Sequence, residues 1–274
     1  MFRLLSLASR REYLFGKREE KAMALTHLQI KELLNENSYH DCEGVGRDKI
    51  CVRIAAIADL PSRFGNFQVV AFWNNRDGKE HAAFVHGDVT NEEDVPVRMH
   101  SECLTGDAIG SLRCDCRDQL EAALTTLGGM DRGILLYLRQ EGRGIGFLNK
   151  IRAYGLQDHG MDTVEANLAL GFKDDERDYS VAAHMLFSLK VKSIKLMTNN
   201  PKKIGGLEKL GVKISGRVPH IMPPNQFNRF YLETKREKSG HLLDTMGKEH
   251  LVEQLDRPVL EGMPPEELVE RIQG

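Results

Sequence analysis

Two continuous apolar runs most limit what this chain can fold into. Residues 133–139 read GILLYLR and residues 193–199 read SIKLMTN, and each run ends in polar or charged residues. Short apolar runs without polar alternation are typical of buried strands. A polar loop and then a helical pattern follow each run. A strand, a loop and a helix repeated in this order predict an α/β body.

Strand-forming segments also precede this part of the chain. KICVRIAAIADLP, NFQVVAFWNN and HAAFVHGDV predict the strands of a β-meander, and VPVRMH (95–100) predicts a further strand. We therefore expect a single α/β domain at residues 48–242, with a mixed sheet flanked by helices and the meander at its start. Residues 1–47 are expected to be an N-terminal extension, partly helical or flexible, and residues 243–274 a C-terminal helical tail.

The N-terminal extension contains two different patterns. ALTHLQIKELLNE (24–36) has apolar residues at roughly helical spacing, which predicts a short helix in a loosely attached segment. The first twenty residues are rich in arginine and apolar side chains. This composition leaves open a transit peptide, a basic amphipathic extension, or an upstream start with Met23 as the alternative beginning.

Charge, hydropathy and cysteine content exclude several classes of protein. The formal net charge is −2, so the chain as a whole is not attracted to nucleic acid or to an anionic membrane. No stretch approaches the roughly 18–20 apolar residues that span a bilayer. Five cysteines in 274 residues are too few for a disulfide framework, which predicts reduced thiols. We expect a cytoplasmic protein without nucleic-acid or membrane partners.

Three of the five cysteines lie in HSECLTGDAIGSLRCDC (100–116), with the spacing C-x10-C-x-C. A disulfide and three unrelated core thiols are the alternatives to a metal site. Charged residues alternate with these cysteines, which favours a tetrahedral thiolate site, and zinc is the natural partner of sulfur ligands. Cys42 and Cys51 are not spaced as a further ligand pair. Three thiolates and a water are therefore the favoured arrangement, and His100 stays open as a fourth ligand.

Three further motifs are ambiguous when each is taken alone. RQEGRGIG (139–146) is an ordinary glycine-rich turn or an anion site completed by the helix that follows. TNNPKK (198–203) places two lysines in a first helical turn, where they are either solvated or share an anion with the helix end. DDERDY (174–179) is a helix start capped by Asp174 or Asp175, or a carboxylate and guanidinium pair in a site.

These motifs occur together, in this order, in a family that the chain resembles. HSECLTGDAIGSLRCDC, RQEGRGIGFLNKIRAYGLQD, DTVEAN, GFKDDERDY, TNNPKK and TKREKSGHLL are similar to the motifs of GTP cyclohydrolase II. The resemblance implies a homodimer that hydrolyses GTP to 2,5-diamino-6-(5-phospho-D-ribosylamino)pyrimidin-4(3H)-one, formate and diphosphate, the first step of riboflavin biosynthesis. It also implies one Zn²⁺ per subunit and Mg²⁺ bound with the triphosphate. A truncated reaction and a zinc-stabilised nucleotide-binding module without turnover are the alternatives.

The resemblance further implies a role for each matching residue. The matching zinc ligands are Cys103, Cys114 and Cys116, and a water activated there is expected to attack C8 of the guanine. Tyr154 matches a tyrosine that is needed for the complete ring-opening reaction. Arg177 matches an arginine proposed to attack the α-phosphate, and Asp175 matches the acid proposed to accept its proton. Because a protonated arginine is a poor nucleophile, electrostatic stabilisation of the departing phosphate is the simpler role for Arg177.

The implied contacts with GTP come from several separate motifs. They are Arg98, Met99, His100, Ser101, Glu102, Gln119, Glu141, Gly142, Arg143, Thr163, Thr198 and Lys203. The Glu141 carboxylate is expected to accept from N1–H and the amino group of guanine, which adenine cannot offer. Lys203 and its helix N-terminus suit phosphate oxygens. Many relatives carry an additional N-terminal domain that makes 3,4-dihydroxy-2-butanone 4-phosphate, and we expect this chain to have a single function.

Overall fold

The computed structural model describes residues 25–38 and 49–243. The strands in these ranges are β1 (Val52–Ser62), β2 (Gly65–Asn74), β3 (His81–His86), β4 (Val95–Ser101), β5 (Gly133–Leu138), β6 (Ile194–Met197) and β7 (Ile214–Val218). The helices are α1 (His27–Ser38), α2 (Cys116–Gly128), α3 (Gly146–Asp158), α4 (Thr163–Ala169), α5 (Ser180–Ser188), α6 (Pro201–Lys209) and α7 (Arg229–Glu237). A π-helical turn (Leu104–Ala108) and a 3-10 turn (Glu141–Gly144) lie between them.

The strands form one mixed sheet in the order β1-β2-β3-β5-β4-β6-β7. Strands β1, β2, β3 and β5 pair antiparallel, whereas β5, β4, β6 and β7 pair parallel. The predicted α/β class, the mixed sheet and the meander at its start are confirmed. Strand β7 was not predicted, because its short sequence ISGRV is only partly buried and contains a glycine in place of a strand-forming residue.

Strand β5 shows why the apolar runs lack polar alternation. Ile134 and Leu136 are buried in the main core cluster, which also contains residues of α5 and α6. Leu135 points to the other face and is buried in a second cluster with Leu127 of α2. Helices therefore cover both faces of the strand, so successive side chains must all be apolar.

The sheet topology creates a crevice at one edge. The chain passes from central β4 to β5 on one side and later to β6 on the other side. The carboxyl ends of these parallel strands lie at the same edge, and ligands of open α/β sheets bind where the connections diverge in this way. The cysteine motif follows β4, RQEGRGIG follows β5, and TNNPKK follows β6. Three motifs that are distant in sequence are therefore brought to one crevice.

Helix α1 confirms the helix predicted within residues 24–36. Leu25 and Leu33 are buried in the main core cluster, and the backbone N–H of Leu25 donates to Gln68 Oε1 at 2.9 Å. This part of the predicted extension is packed on the sheet rather than loosely attached. The transit-like first twenty residues and the tail helix predicted beyond Leu243 lie outside the described residues.

The helix that follows the DDERDY motif begins only at Ser180. Asp178 Oδ1 accepts the backbone N–H of Ser180 at 2.8 Å, and the residues before it are not helical. The alternative of Asp174 or Asp175 as a helix cap is wrong, because both carboxylates bind arginines instead.

Helices α4 and α7 were not predicted. Asp162 caps α4 by accepting the backbone N–H groups of Val164 and Glu165, and Glu165 Oε2 accepts the N–H of Asp162 at 3.0 Å. This capping box is readable in the sequence as D-x-x-E and would have predicted α4. Helix α7 begins at Arg229, within a stretch that was expected to be irregular. None of the helices in the described ranges is long and apolar enough to cross a membrane.

The cysteines differ from the expectation at one position. Cys51, just before β1, is disulfide-bonded, so the prediction of reduced thiols is wrong for this residue. Cys103, Cys114 and Cys116 are free thiols, which excludes a disulfide among them.

Candidate active site

A cavity opens at the carboxyl edge of the parallel strands. The predicted site residues that line it are Arg98, His100, Ser101, Glu102, Cys103, Cys114, Cys116, Gln119, Glu141, Gly142, Arg143, Tyr154, Thr163, Arg177, Thr198 and Lys203. Met99 and Asp175 do not line it, but each supports a residue that does. The Met99 carbonyl accepts from Lys203 Nζ at 2.8 Å, and Asp175 binds Arg177. The structure therefore gathers the predicted residues around one space.

The three thiols form a compact cluster at one end of the cavity. Their sulfur atoms all lie within 4.8 Å of one another, and Cys103 Sγ is 3.7 Å from Cys114 Sγ. Two thiolates on a tetrahedral zinc ion, with Zn–S bonds of about 2.3 Å, lie about 3.8 Å apart. The chain returns through the π-helical turn after Cys103, and Cys116 begins α2. This donor set fits Zn²⁺, since sulfur ligands at this separation suit a borderline-soft, tetrahedral ion.

His100 is held away from the metal-ligand role that the sequence left open. Its Nε2 lies 3.0 Å from both carboxylate oxygens of Asp107, and its ring stacks on Tyr137. The group of potential metal ligands among the described residues contains the three cysteines and does not include His100. The cluster is therefore a group of three thiols that could hold a metal ion without His100.

Lys150 connects the sulfur cluster to Glu141. Its Nζ lies 3.1 Å from Cys103 Sγ and 2.7 Å from Glu141 Oε1, and both side chains are under 10% exposed, at 9% and 8%. Burial alone would lower the pKa of Lys150, but the hydrogen bond that it donates to Glu141, together with its interactions with Tyr154 and Cys103, outweighs burial and raises the pKa. Hydrogen bonds from Cys114 and Cys116, together with the Lys150 charge, hold the pKa of the Cys103 thiol far below its usual value. The hydrogen bonds to Cys103 raise the pKa of Cys114 to about 11 and hold the pKa of Cys116 well above its usual value, so the negative charge of the cluster lies on Cys103.

Two buried cations at the other end of the cavity, Arg98 and Lys203, form no ion pair with an acid among the described residues. Arg98 donates from Nη1 to the Met197 carbonyl at 3.1 Å and from Nη2 to Gln119 Oε1 at 2.5 Å, and its Nε has no partner. Burial lowers the pKa of Arg98 to about 10. Burial, followed by the charges of Arg177 and Arg98, holds the pKa of Lys203 well below its usual value. Buried positive charge of this kind indicates a site for an anion.

Known proteins with this sequence pattern come from one family. A family model described as GTP cyclohydrolase II matches residues 52–219. The chain belongs to the GTP cyclohydrolase II family. It is 58% identical over 185 residues to a GTP cyclohydrolase-2 of Picrophilus torridus, covering 68% of this chain and 96% of that protein. It is 56% identical over 191 residues to a GTP cyclohydrolase-2 of Aeromonas hydrophila, covering 70% of this chain and 97% of that protein.

A longer relative aligns over the same part of the chain. The riboflavin biosynthesis protein RibBA of Bacillus subtilis is 58% identical over 185 residues, which cover 67% of this chain and 46% of that protein. The similarity is therefore concentrated in the sheet and cavity described above. The family predicted from the sequence motifs is confirmed.

Arg177 is fixed by Asp175 in this member of the GTP cyclohydrolase II family. Its Nε donates to Asp175 Oδ1 at 2.8 Å and its Nη2 to Oδ2 at 2.5 Å, a bidentate pair. Burial would raise the pKa of Asp175, but the hydrogen bonds from Arg177 outweigh it and lower the pKa. Burial likewise opposes the charge on Arg177, and the Asp175 bond overcomes it and raises the pKa of the guanidinium. Arg177 therefore stays protonated.

The 3-10 turn after β5 has an unusual backbone. Gly142 and Arg143 both adopt left-handed conformations, with φ of 63° and 61°. Such a conformation is uncommon for a non-glycine residue, and it concentrates at functional sites. Arg143 is held there by an ion pair with Asp174, which also binds Lys202 at 3.0 Å. The motif DDERDY thus supplies two arginine-binding carboxylates, as its functional interpretation predicted.

Several cavity residues were missed by sequence analysis. Lys150 lies one helical turn before Tyr154, so the i, i+4 spacing was a usable signal for it. Lys235 Nζ of α7 lies 3.2 Å from Asp115 Oδ1, and Asp115 lies between two of the clustered cysteines in the sequence. Tyr231 and His241 come from the same part of the chain as Lys235. The motif TKREKSGHLL was recognised as a family feature, but no site residue was assigned to it.

A single substitution at Gly106 is expected to disturb the sulfur cluster. A Cβ added there would lie 2.8 Å from Cys114 Sγ and 3.0 Å from Cys103 Sγ. We expect Gly106→Ala to weaken zinc affinity about 10- to 100-fold, because the sulfurs must move apart. Competition with a chelator measures this affinity. Gly205→Ala is the control, since nothing lies within 4 Å of its added Cβ, and equal affinities for the two variants would contradict the prediction.

Lys150 is expected to matter for stability because its partner is buried. Lys150→Met leaves the Glu141 carboxylate buried without its cation, which we expect to cost about 3–5 kcal/mol in the free energy of unfolding. Lys195→Met is the control, because its ion pair with Asp94 is half exposed and is screened by solvent, so its loss should cost little. Urea unfolding of both zinc-loaded variants measures the difference. If both variants lost a similar amount of unfolding free energy, the buried pair would stabilise the fold no more than the exposed pair does.

Proposed function

We propose that this chain is an enzyme that hydrolyses GTP to 2,5-diamino-6-(5-phospho-D-ribosylamino)pyrimidin-4(3H)-one, formate and diphosphate, in the first step of riboflavin biosynthesis. The observation that carries the proposal is the pairing of a three-thiol cluster and a group of uncompensated buried cations in one cavity. GTP has an electrophilic ring carbon and a polyanionic chain, and the two ends of the cavity suit these two parts. Relatives named GTP cyclohydrolase-2 support the proposal.

The sulfur end of the cavity is proposed to open the imidazole ring. Cys103, Cys114 and Cys116 would hold one Zn²⁺ per subunit, and zinc in such a site supplies a water that ionises near neutral pH. Tyr154 Oη lies 3.4 Å from Thr105 Oγ1, and the Tyr154 ring is flanked by Arg113 and Lys150. Burial raises the pKa of Tyr154, so its hydroxyl keeps a proton that it can donate to a ring nitrogen.

Glu141 is proposed to read the guanine base. Its Oε2 accepts the Leu104 N–H at 2.6 Å, and its Oε1 accepts from Lys150 Nζ and from the Gly142 N–H. A carboxylate has about four lone-pair sites, so one remains for N1–H or the amino group of guanine. The contacts from the protein fix the carboxylate in place, which supports selectivity because adenine would leave it unsatisfied.

The cationic end is proposed to bind the triphosphate and stabilise the departing diphosphate. Arg98 and Lys203 are buried cations that form no ion pair within residues 25–38 and 49–243, and their charge is available for phosphate oxygens. Arg177 is rigidly oriented by Asp175 and stays protonated, which supports an electrostatic role rather than nucleophilic attack. Mg²⁺ would be bound together with the triphosphate oxygens, which are the hard ligands that this ion prefers.

Other properties of the protein are part of the same proposal. We propose a homodimer in the cytoplasm, with residues 48–242 as the catalytic domain. The net charge of −2 supports the absence of a nucleic-acid partner. Size-exclusion chromatography with light scattering tests the dimer.

One reaction tests the proposed function. Zinc-loaded protein is incubated with GTP and Mg²⁺. Formate and diphosphate are then measured in the same sample, and the mass of the pyrimidine product is determined by mass spectrometry. We expect formate and diphosphate in equal amounts, together with the deformylated pyrimidine. ATP is the control nucleotide, and we expect that it is not turned over. Diphosphate without formate would replace the proposal by a truncated reaction. Release of neither would reject the proposal.

A further inference from the structure

The described end of the chain forms one wall of the cavity. After α7, the backbone N–H of Leu242 donates to the Asn199 carbonyl at the end of β6, at 2.8 Å. Ser239 Oγ lies 3.4 Å from Nη1 of Arg143. The segment 238–243 is therefore tied to the loop after β6 and to the turn after β5. Through these contacts it holds the side chain of His241 at the cavity.

His241 lies among cations. The charged groups that act on its imidazole come from four elements: Lys235 of α7, Arg143 of the 3-10 turn, Arg177 before α5 and Lys203 of α6. Burial, followed by these four charges, lowers the pKa of His241 to about 3. In the described part of the chain, no residue forms a hydrogen bond with its ring nitrogens. Lys235, Arg143 and Arg177 are each paired with a carboxylate, whereas Lys203 forms no ion pair among the described residues. An anion bound beside Lys203 would therefore meet an imidazole with free donor capacity.

We propose that His241 is a further substrate-binding residue, which donates a hydrogen bond to the phosphate chain of the nucleotide. The identity of this nucleotide as GTP rests on the proposed function. Phosphate oxygens would neutralise the surrounding cations and favour the protonated imidazole, which donates the stronger hydrogen bond. Binding of the phosphate chain would then be accompanied by proton uptake at His241. Affinity would fall as the pH rises from about 3, the pKa of His241 in the free protein, towards its higher pKa in the complex, and would level off above that value.

The test measures binding rather than turnover. Zinc-loaded wild type, His241→Phe and His241→Gln are titrated calorimetrically with guanosine 5′-(α,β-methylene)triphosphate, with guanosine and with inorganic triphosphate. We expect His241→Phe to bind both triphosphates about 10- to 100-fold more weakly and guanosine equally well, since a charge-assisted hydrogen bond is lost. His241→Gln keeps a donor but cannot ionise. It should lose less affinity and should lose the part of the pH dependence, above about pH 3, that His241 provides.

The controls separate this inference from a general loss of structure and from the proposed function. His27→Gln changes an exposed histidine on α1 and should bind every ligand as the wild type does. Unaltered triphosphate binding by His241→Phe, or an equal loss for guanosine, would overturn the inference. His241-dependent binding of inorganic triphosphate in a protein that does not turn over GTP would reject only the proposed function. A wild-type protein that binds neither triphosphate would overturn both.

Discussion

Replacing Cys114 by serine should leave the protein without stoichiometric zinc and should abolish formate release from GTP. Cys114 Sγ is 3.7 Å from Cys103 Sγ, and both belong to the three-thiol cluster. A serine hydroxyl stays protonated at neutral pH and is a much poorer ligand for zinc than a thiolate. With two sulfurs left, the site loses the ligand number that a catalytic zinc ion needs. Elemental analysis gives zinc per subunit, and formate is assayed in the same preparation.

Cys51→Ser is the matched control for this experiment. It also removes a sulfur, and it breaks the disulfide of Cys51, but this residue does not belong to the metal-binding cluster. We expect its zinc content to equal that of the wild type. The Cys114→Ser protein should still bind GTP at the cationic end of the cavity. Formate release at the native rate by zinc-free Cys114→Ser protein would show that the cluster does not hold the metal that opens the ring.

Replacing Arg177 by lysine should slow diphosphate release from GTP about 100- to 1,000-fold. Lysine keeps the charge but has a single nitrogen, so it cannot form the bidentate pair with Asp175 that orients Arg177. Stabilisation of developing charge by an oriented donor contributes an effect of this size. Because the fold and the metal site are untouched, zinc content should stay normal. A phosphate-release assay coupled to pyrophosphatase measures the rate.

The same variant separates two roles for Arg177. An amine is a better nucleophile than a guanidinium, so a mechanism of covalent attack predicts that Arg177→Lys keeps activity or accumulates a nucleotidyl adduct. Mass spectrometry of the intact protein detects such an adduct. Arg63→Lys is the control, since Arg63 is an exposed arginine that pairs with Glu121 on the surface, and we expect its rate to be unchanged. A native rate for Arg177→Lys would reject the electrostatic role.

Local patterns predicted the strands that are buried on both faces and the helices with one clear apolar stripe. β5 and α1 are examples, because the spacing of their apolar residues reflects which faces are buried. The patterns failed where tertiary contacts outweigh local preference. DDERDY has the composition of a capped helix start, yet its first two carboxylates pair with Arg143 and Arg177, and the helix begins only at Ser180. Strand β7 forms because β6 offers it an edge, although its own sequence is a weak strand former.

Some features of the candidate site were likewise predictable from local sequence, and others depend on the tertiary structure. The cysteine spacing indicated a metal cluster because its three members lie within fourteen residues, from Cys103 to Cys116. Lys150 and Glu141 form a buried pair across two elements, and nothing in either motif alone indicates it. Lys235 reaches Asp115 over a separation of 120 residues. Contacts of this kind depend on how the chain returns to the cavity.

The sequence by itself therefore determined the family, the α/β class and the kinds of chemical groups that this protein carries. These properties depend on residue identity, on short spacings between residues and on the order of the motifs along the chain. Only the tertiary structure decided which charges neutralise each other and which stay uncompensated, because a charge pair depends on distance in space and on exclusion of water. It paired Glu141 with Lys150, left Arg98 and Lys203 without an acid in the described residues, and placed His241 among cations.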